Sequence, residues 1–186
     1  MGCEPQSIDR RNICPNAAGG IEAFAVIEGP TIDDVTLADG VMTNITLDQG
    51  GSVTMFYPTD DDSAYSNSTG DRPNDGNNHF YAHETYGSFE GVDDDTAHAA
   101  DGLADCCNLV IIAFFNNGFK LVHGIEQIKD ADPLDPQWKF SQKRGKATVN
   151  VMSGTGADSS KVEIFMRSRS RNIVSTDMTI DDFEAL

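Results

Sequence analysis

Apolar and polar residues alternate with period two along much of the chain, which is the repeat of a half-buried strand. In Val41–Leu47, residues Val41, Thr43, Ile45 and Leu47 share one face and Met42, Asn44 and Thr46 the other. Asp39-Gly40 supplies the turn between this strand and a short Val35–Leu37 segment, a strong hairpin signal. Upstream, Ile21–Glu28 is apolar and β-prone and stops at Gly29-Pro30; downstream, Ser52–Tyr57 forms another strand closed by Pro58. The clearest hairpin is the nearly continuous apolar run Leu109–Phe115, the turn Asn116-Asn117-Gly118 and a returning strand Phe119–Ile128. A last pair, Lys146–Met152 and Lys161–Arg167, flanks a Gly/Asp/Ser turn at 153–160. Alternate residues are again apolar: Ala147, Val149 and Val151 in the first, Val162, Ile164 and Met166 in the second.

Other stretches break this rhythm. Asp93, Asp94 and Asp95 stand where a helix begins, and carboxylates there cap free N–H groups and suit the positive end of the dipole. Ala97, Ala100, Leu103, Ala104 and Cys107 follow at the spacing of a buried helical stripe, so a helix is predicted over about 93–106. Residues 58–78 read as a long acidic loop, nearly all Asp, Ser, Asn, Thr, Gly and Pro, and loops of that length are functional or disordered. Asn78–Phe89 is extended and aromatic-rich (Phe80, Tyr81, Tyr86, Phe89), and Lys129–Phe140 is a Pro/Asp loop holding Trp138. Roughly eight strands and one helix, joined mostly by short reversals, predict a mainly β fold. The expected architecture is an antiparallel β-sandwich or small barrel with one flanking α-helix. It divides into an N-terminal arm at 1–20, a single β-rich domain at 21–168 and a C-terminal tail at 169–186, without internal repeats.

Charge adds an asymmetry that folding does not require. Residues 1–105 hold 20 Asp/Glu against three Lys/Arg (Arg10, Arg11 and Arg72), while residues 106–186 hold ten of each, so the first part carries the whole net charge of −17. Net charge bears on solubility, partners and steering rather than on fold, and an acidic surface on one side keeps phosphates at a distance. At 186 residues the chain is long enough for a real core, yet only 39% of it is hydrophobic. Many residues therefore belong to polar loops or to subunit contacts. The longest apolar run has seven residues, against about 20 for a bilayer-spanning helix, and Met1–Asn12 lacks the apolar run of a signal peptide. A soluble chain, made and used without export, is expected. Cys3, Cys14, Cys106 and Cys107 form no C-x-x-C pair and read as free thiols, and the sequons at Asn44 and Asn67 carry no meaning without export.

Candidate chemistry is sparse. His79 and His83 are four apart, but the intervening Phe80-Tyr81-Ala82 reads as extended, and His83-Glu84 reverses the order of the zinc motif; His98 and His123 stand alone. Asp60-Asp61-Asp62, Asp93-Asp94-Asp95 and Asp130, Asp132 and Asp135 lack the ligand spacing of a calcium loop. There is no Gly-x-Ser-x-Gly elbow and no phosphate-binding glycine loop, and Ser153-Gly154-Thr155-Gly156 has the composition of a hairpin turn. No catalytic residue, cofactor or metal site is expected. Arg167, Arg169 and Arg171, at spacing two, place three guanidinium groups on one face of a strand, suited to an acidic partner such as the protein's own Asp-rich surface. A contact of that kind is head-to-tail, and it closes a ring when its rotation closes.

The order of these elements resembles bacteriophage virion structural proteins, most of all tail tube proteins. The resemblance rests on the arm ending in Gly19-Gly20-Ile21, the strands through Tyr57, the long loop, the helix Asp93–Cys106 feeding the hairpin Leu109–Gly118–Ile128, and the strand pair at 146–167. It implies a virion subunit, made in the host cytoplasm, that assembles into hexameric rings stacked around a DNA channel. Its partners would be copies of itself and other virion proteins. Asp60, Asp61, Asp62, Asp71 and Asp75 would face the channel or a neighbouring subunit, Arg167, Arg169 and Arg171 would face a neighbour, and DNA would pass without sequence-specific binding or any membrane. Other readings stay open: a head–tail joining or stopper ring, a capsid-surface protein, a monomeric calcium- or carbohydrate-binding β module using Tyr81, Tyr86 and Trp138, and, more distantly, a small β-fold hydrolase.

Overall fold

Strand-forming sequence dominates the fold, and where the chain's apolar runs are longest its strands are covered on both sides. The computed structural model describes residues 20–58, 65–71, 80–90, 102–103, 108–128, 137–141, 143–152 and 161–186. These form thirteen strands: β1 (Ile21–Glu28), β2 (Ile32–Ala38), β3 (Val41–Leu47), β4 (Val53–Phe56), β5 (Tyr65–Asp71), β6 (Phe80–Glu90), β7 (Leu109–Phe115), β8 (Lys120–His123), β9 (Ile125–Gln127), β10 (Trp138–Phe140), β11 (Lys143–Met152), β12 (Lys161–Ser170) and β13 (Val174–Thr176). A short helix α1 (Ile180–Glu184) follows, opened by a capping box between Thr179 and Asp182. The mainly β class expected from the sequence is what the chain adopts.

Two sheets make the body. The first runs β2-β3-β13-β8-β7-β1-β4 and the second β11-β12-β6-β5, and they join where Gly145 of β11 meets Leu109 of β7. All pairings are antiparallel except β13 with β3. A separate ribbon pairs β9 with β10. The register of β2 and β3 turns at Asp39-Gly40, both at positive φ (50° and 83°), as the predicted two-residue hairpin requires.

Period two decides which sheet face each core residue serves. In β7, Leu109, Ile111 and Ala113 face the second sheet, where Val162, Ile164 and Met166 of β12 meet Phe24 and Val26 of β1. Val110, Ile112 and Phe114 face the other way and pack with Ala23, Ala25, Ile27, Val174 and Phe183. The molecule is therefore layered: second sheet, first sheet, then α1, whose Phe183 sets its ring edge-on to Phe114 at 5.6 Å. An apolar run without alternation is what a doubly covered strand needs.

Several expectations are corrected. Residues 65–71, read as part of one long loop, form β5 and pair along β6 from Tyr65↔Tyr86 to Asp71↔Phe80; Ser, Asn and Thr suit an edge strand whose side chains need not all be apolar. The returning strand Phe119–Ile128 is broken at Gly124, at φ 95°, into β8 and β9, which belong to different sheets. Trp138–Phe140, placed in a loop, is β10. Residues 169–186 carry Val174, Met178 and Phe183 into the core. The helix predicted at 93–106 lies almost wholly outside the described residues; within it, Gly102 and Leu103 are helical and Leu103 is buried between the sheets.

Candidate functional site

Two features bring polar chemistry together: a hydrogen-bonded cluster between the sheets and a charged face outside them. Along β12 the inward positions begin apolar (Val162, Ile164, Met166) and end polar (Ser168, Ser170), all buried. Opposite them on β6 stand His83 and Thr85, in register with Ser168 and Met166. From the first sheet, His123 at the end of β8 reaches the same space, its ring 5.0 Å from that of His83. His83 Nδ1 meets Ser68 Oγ at 2.7 Å, and its Nε2 meets Ser170 Oγ. His123 Nε2 lies 2.8 Å from Thr85 Oγ1 and 3.4 Å from Ser66 Oγ.

Donor counting fixes the His83 tautomer. Ser170 Oγ donates to the Asn172 carbonyl at 2.7 Å, so it accepts from His83 Nε2–H, and Nδ1 accepts from Ser68. Burial pushes His83 down to about 4, and burial together with the neighbouring His83 pushes His123 down to about 3. A hydroxyl beside an imidazole is the start of a nucleophile and its base, but a base of that strength is mismatched to neutral pH, and the second His83 nitrogen rests on a hydroxyl rather than a carboxylate. The cluster binds the edge strand β5 to the body. His123, read as solitary in the sequence, is corrected here: it pairs with His83 across the sandwich.

The network continues outward. Asn172 brackets Gln127, accepting from its N–H at 3.1 Å and donating to its carbonyl at 2.9 Å. Buried Glu126 accepts from the Arg171 N–H at 2.9 Å and sits 3.5 Å from Lys139 Nζ. The backbone at Arg171 is thus held while its side chain is exposed.

The outer face of the second sheet carries the predicted arginines. Arg167 and Arg169 alternate on β12 and are both exposed. Arg167 Nε is 2.7 Å from Glu84 Oε2 on β6. Between them and the far end, the Tyr86 and Phe165 rings meet at a tilt, 4.8 Å between centroids, and the Tyr86 hydroxyl donates to Glu163 at 3.0 Å. In the ladder, Lys146 is the cross-strand neighbour of Arg167 and Lys143 of Arg169, so four basic positions stand in two facing pairs.

No protein-family model matches the chain, and neither does any curated protein or solved structure. The function must therefore be argued from this site alone.

Of the acidic candidates, Asp71 ends β5 opposite Phe80, while Asp60, Asp61, Asp62 and Asp75 lie outside the described residues, as do His79, His98 and the aspartates at 93–95 and 130–135. The proposed sugar platform is not assembled: Tyr81 stacks on His83 on the inner side of β6, Tyr86 lies on its outer side, and the Trp138 indole donates to Asp34 at 3.1 Å. Among the described residues no three His, Cys, Asp or Glu side chains converge as metal ligands, and no helix is long and apolar enough to cross a membrane. A cleft of about 350 Å³ beside Leu103 offers Glu28 as its one charged lining residue among those described.

Proposed function

We propose that this chain is a structural, non-catalytic subunit of a phage-like particle, associating head to tail into rings that stack as a tail tube around an acidic DNA channel. The observation that carries the reading is the outward arginine pair Arg167 and Arg169 on β12, with Arg171 beyond, in a chain of net charge −17. Arg169 and Arg171 are exposed, and a basic stripe of this kind is complementary to an acidic surface on another molecule. Copies of the same chain are the most abundant such surface. Opposite charge on two different patches gives a heterologous contact, which propagates as a ring or a filament rather than stopping at a dimer. Among the described residues β5 is the last strand of the second sheet, a second place where neighbouring sheets can join. A lumen rich in carboxylates would repel phosphates and let DNA slide.

Negative-stain electron microscopy with mass photometry tests the reading. Rings with a central channel, stacking without limit, are the expected result. Closed rings that never stack would select a head–tail joining ring instead, and a uniform 20.1 kDa monomer at every concentration would overturn the assembly role.

A further inference from the structure

The layering of the fold puts another surface on the side opposite the arginines. A groove of about 270 Å³ runs between α1 and the β7–β8 hairpin, floored by Phe114, Phe115 and Ile180 and rimmed by Glu22, Asp181 and Lys120. Exposed Phe119 extends that apolar floor, its ring 5.7 Å from that of Phe115. Close by, the exposed Tyr57 ring ties to α1 through a hydrogen bond from its hydroxyl to Glu184. That bond, burial and the charges of Glu184, Asp181 and Glu22 push its hydroxyl up to about 12. The single lining cation, Lys120, is already engaged by the Asp177 carbonyl at 3.0 Å. An apolar floor with an acidic rim asks for an occupant that is apolar at its centre and basic at its edge.

The outer face of the second sheet offers the tilted Tyr86–Phe165 ring pair beside Arg167 and Arg169, its carboxylates Glu84 and Glu163 being engaged by Arg167 and by the Tyr86 hydroxyl. It also lies on the opposite side of the molecule, since α1 packs on the face of the first sheet that is turned away from the second. We infer that the groove along α1 is the acceptor for the arginine face of a second copy of this chain, with Glu22 and Asp181 opposing Arg169 and Arg171. Two complementary patches on opposite sides make a contact that repeats in one direction without self-cancelling. This inference rests on the self-assembly reading above and names the surface that reading leaves open.

A charge swap tests it. Three variants are compared with the native protein by mass photometry and sedimentation: R169E/R171E, E22K/D181K and the combination of all four changes, each checked for a native thermal transition. All four positions are exposed, so folding should survive. The expected result is that each pair of changes weakens association at least tenfold and that the combination restores most of it. Association unchanged by either pair overturns the inference while leaving self-assembly standing. Loss without rescue in the combined variant overturns the pairing of these two faces. A native protein that is monomeric throughout overturns both.

Discussion

At the scale of single residues, the histidine pair has the sharpest consequence. His83 and His123 are held well below the ordinary value of 6.5, to about 4 and about 3. Between those values and 6.5 the unfolded chain binds protons that the folded chain refuses. Stability contributed by the neutral pair is therefore full above 6.5 and is lost as pH falls below it. Each histidine should cost about 1.4 kcal/mol per pH unit, or on the order of 2 kcal/mol at pH 5. Urea unfolding at pH 7.5 and 5.0 checks this, using the native protein and a His83→Asn/His123→Gln variant. The native protein should lose far more stability across that interval, and equal losses would remove the histidines from the account. The pairing was half legible in the sequence. Ser168 and Ser170 continue the inward parity of Val162, Ile164 and Met166, which signals a polar stretch of interior. Which residue of a distant strand would meet them depends on how the two sheets are laid together, and period two carries no information about that.

At the scale of elements, turns are legible in short-range sequence signals, whereas breaks inside a strand-like run are not. Asp39-Gly40 and Asn116-Asn117-Gly118 turn where their chemistry requires, and the apolar alternation of Lys161–Arg167 points inward as written. Gly124 is hidden in the sequence because Leu121, Val122 and His123 before it and Ile125 after it read as one continuous strand. Its role is steric as well as conformational: a Cβ there would stand 2.7 Å from the Leu109 carbonyl oxygen, at φ 95°. Gly124→Ala should destabilise the protein by about 2 kcal/mol or more, because backbone strain and overpacking add. Thermal denaturation would register the loss, and an unchanged transition would mean that the chain can pass from β8 to β9 without this kink. Segment 65–71 was missed for a different reason. Its composition is that of a loop, and only its partner, β6, with hydroxyls bonding to buried imidazoles, makes it a strand.

At the scale of the whole molecule, the fold class was legible because it follows from local pattern, whereas the opposition of the two faces was not. Arg167 and Arg169 were visible as a stripe, but the acidic rim around α1 draws Glu22 from one end of the chain and Asp181 from the other, and only the folded layers bring them together. An interface built on such charges is screened over about 10 Å at 0.1 M salt and about 3 Å at 1 M. Assembly should weaken steeply as sodium chloride rises from 50 mM to 500 mM, read by sedimentation. Association that is indifferent to salt would point to an apolar contact instead.

The placement of β13 bears on how the chain is born. Its three residues lie between β3 and β8, pairing with both, so among the described residues the β2–β3 hairpin joins the rest of its sheet through them. Without residues 174–176 the described strands of this sheet would fall into two parts whose facing edges are templates for the wrong strand. Closure must then wait for contacts more than a hundred residues apart, which makes for slow folding.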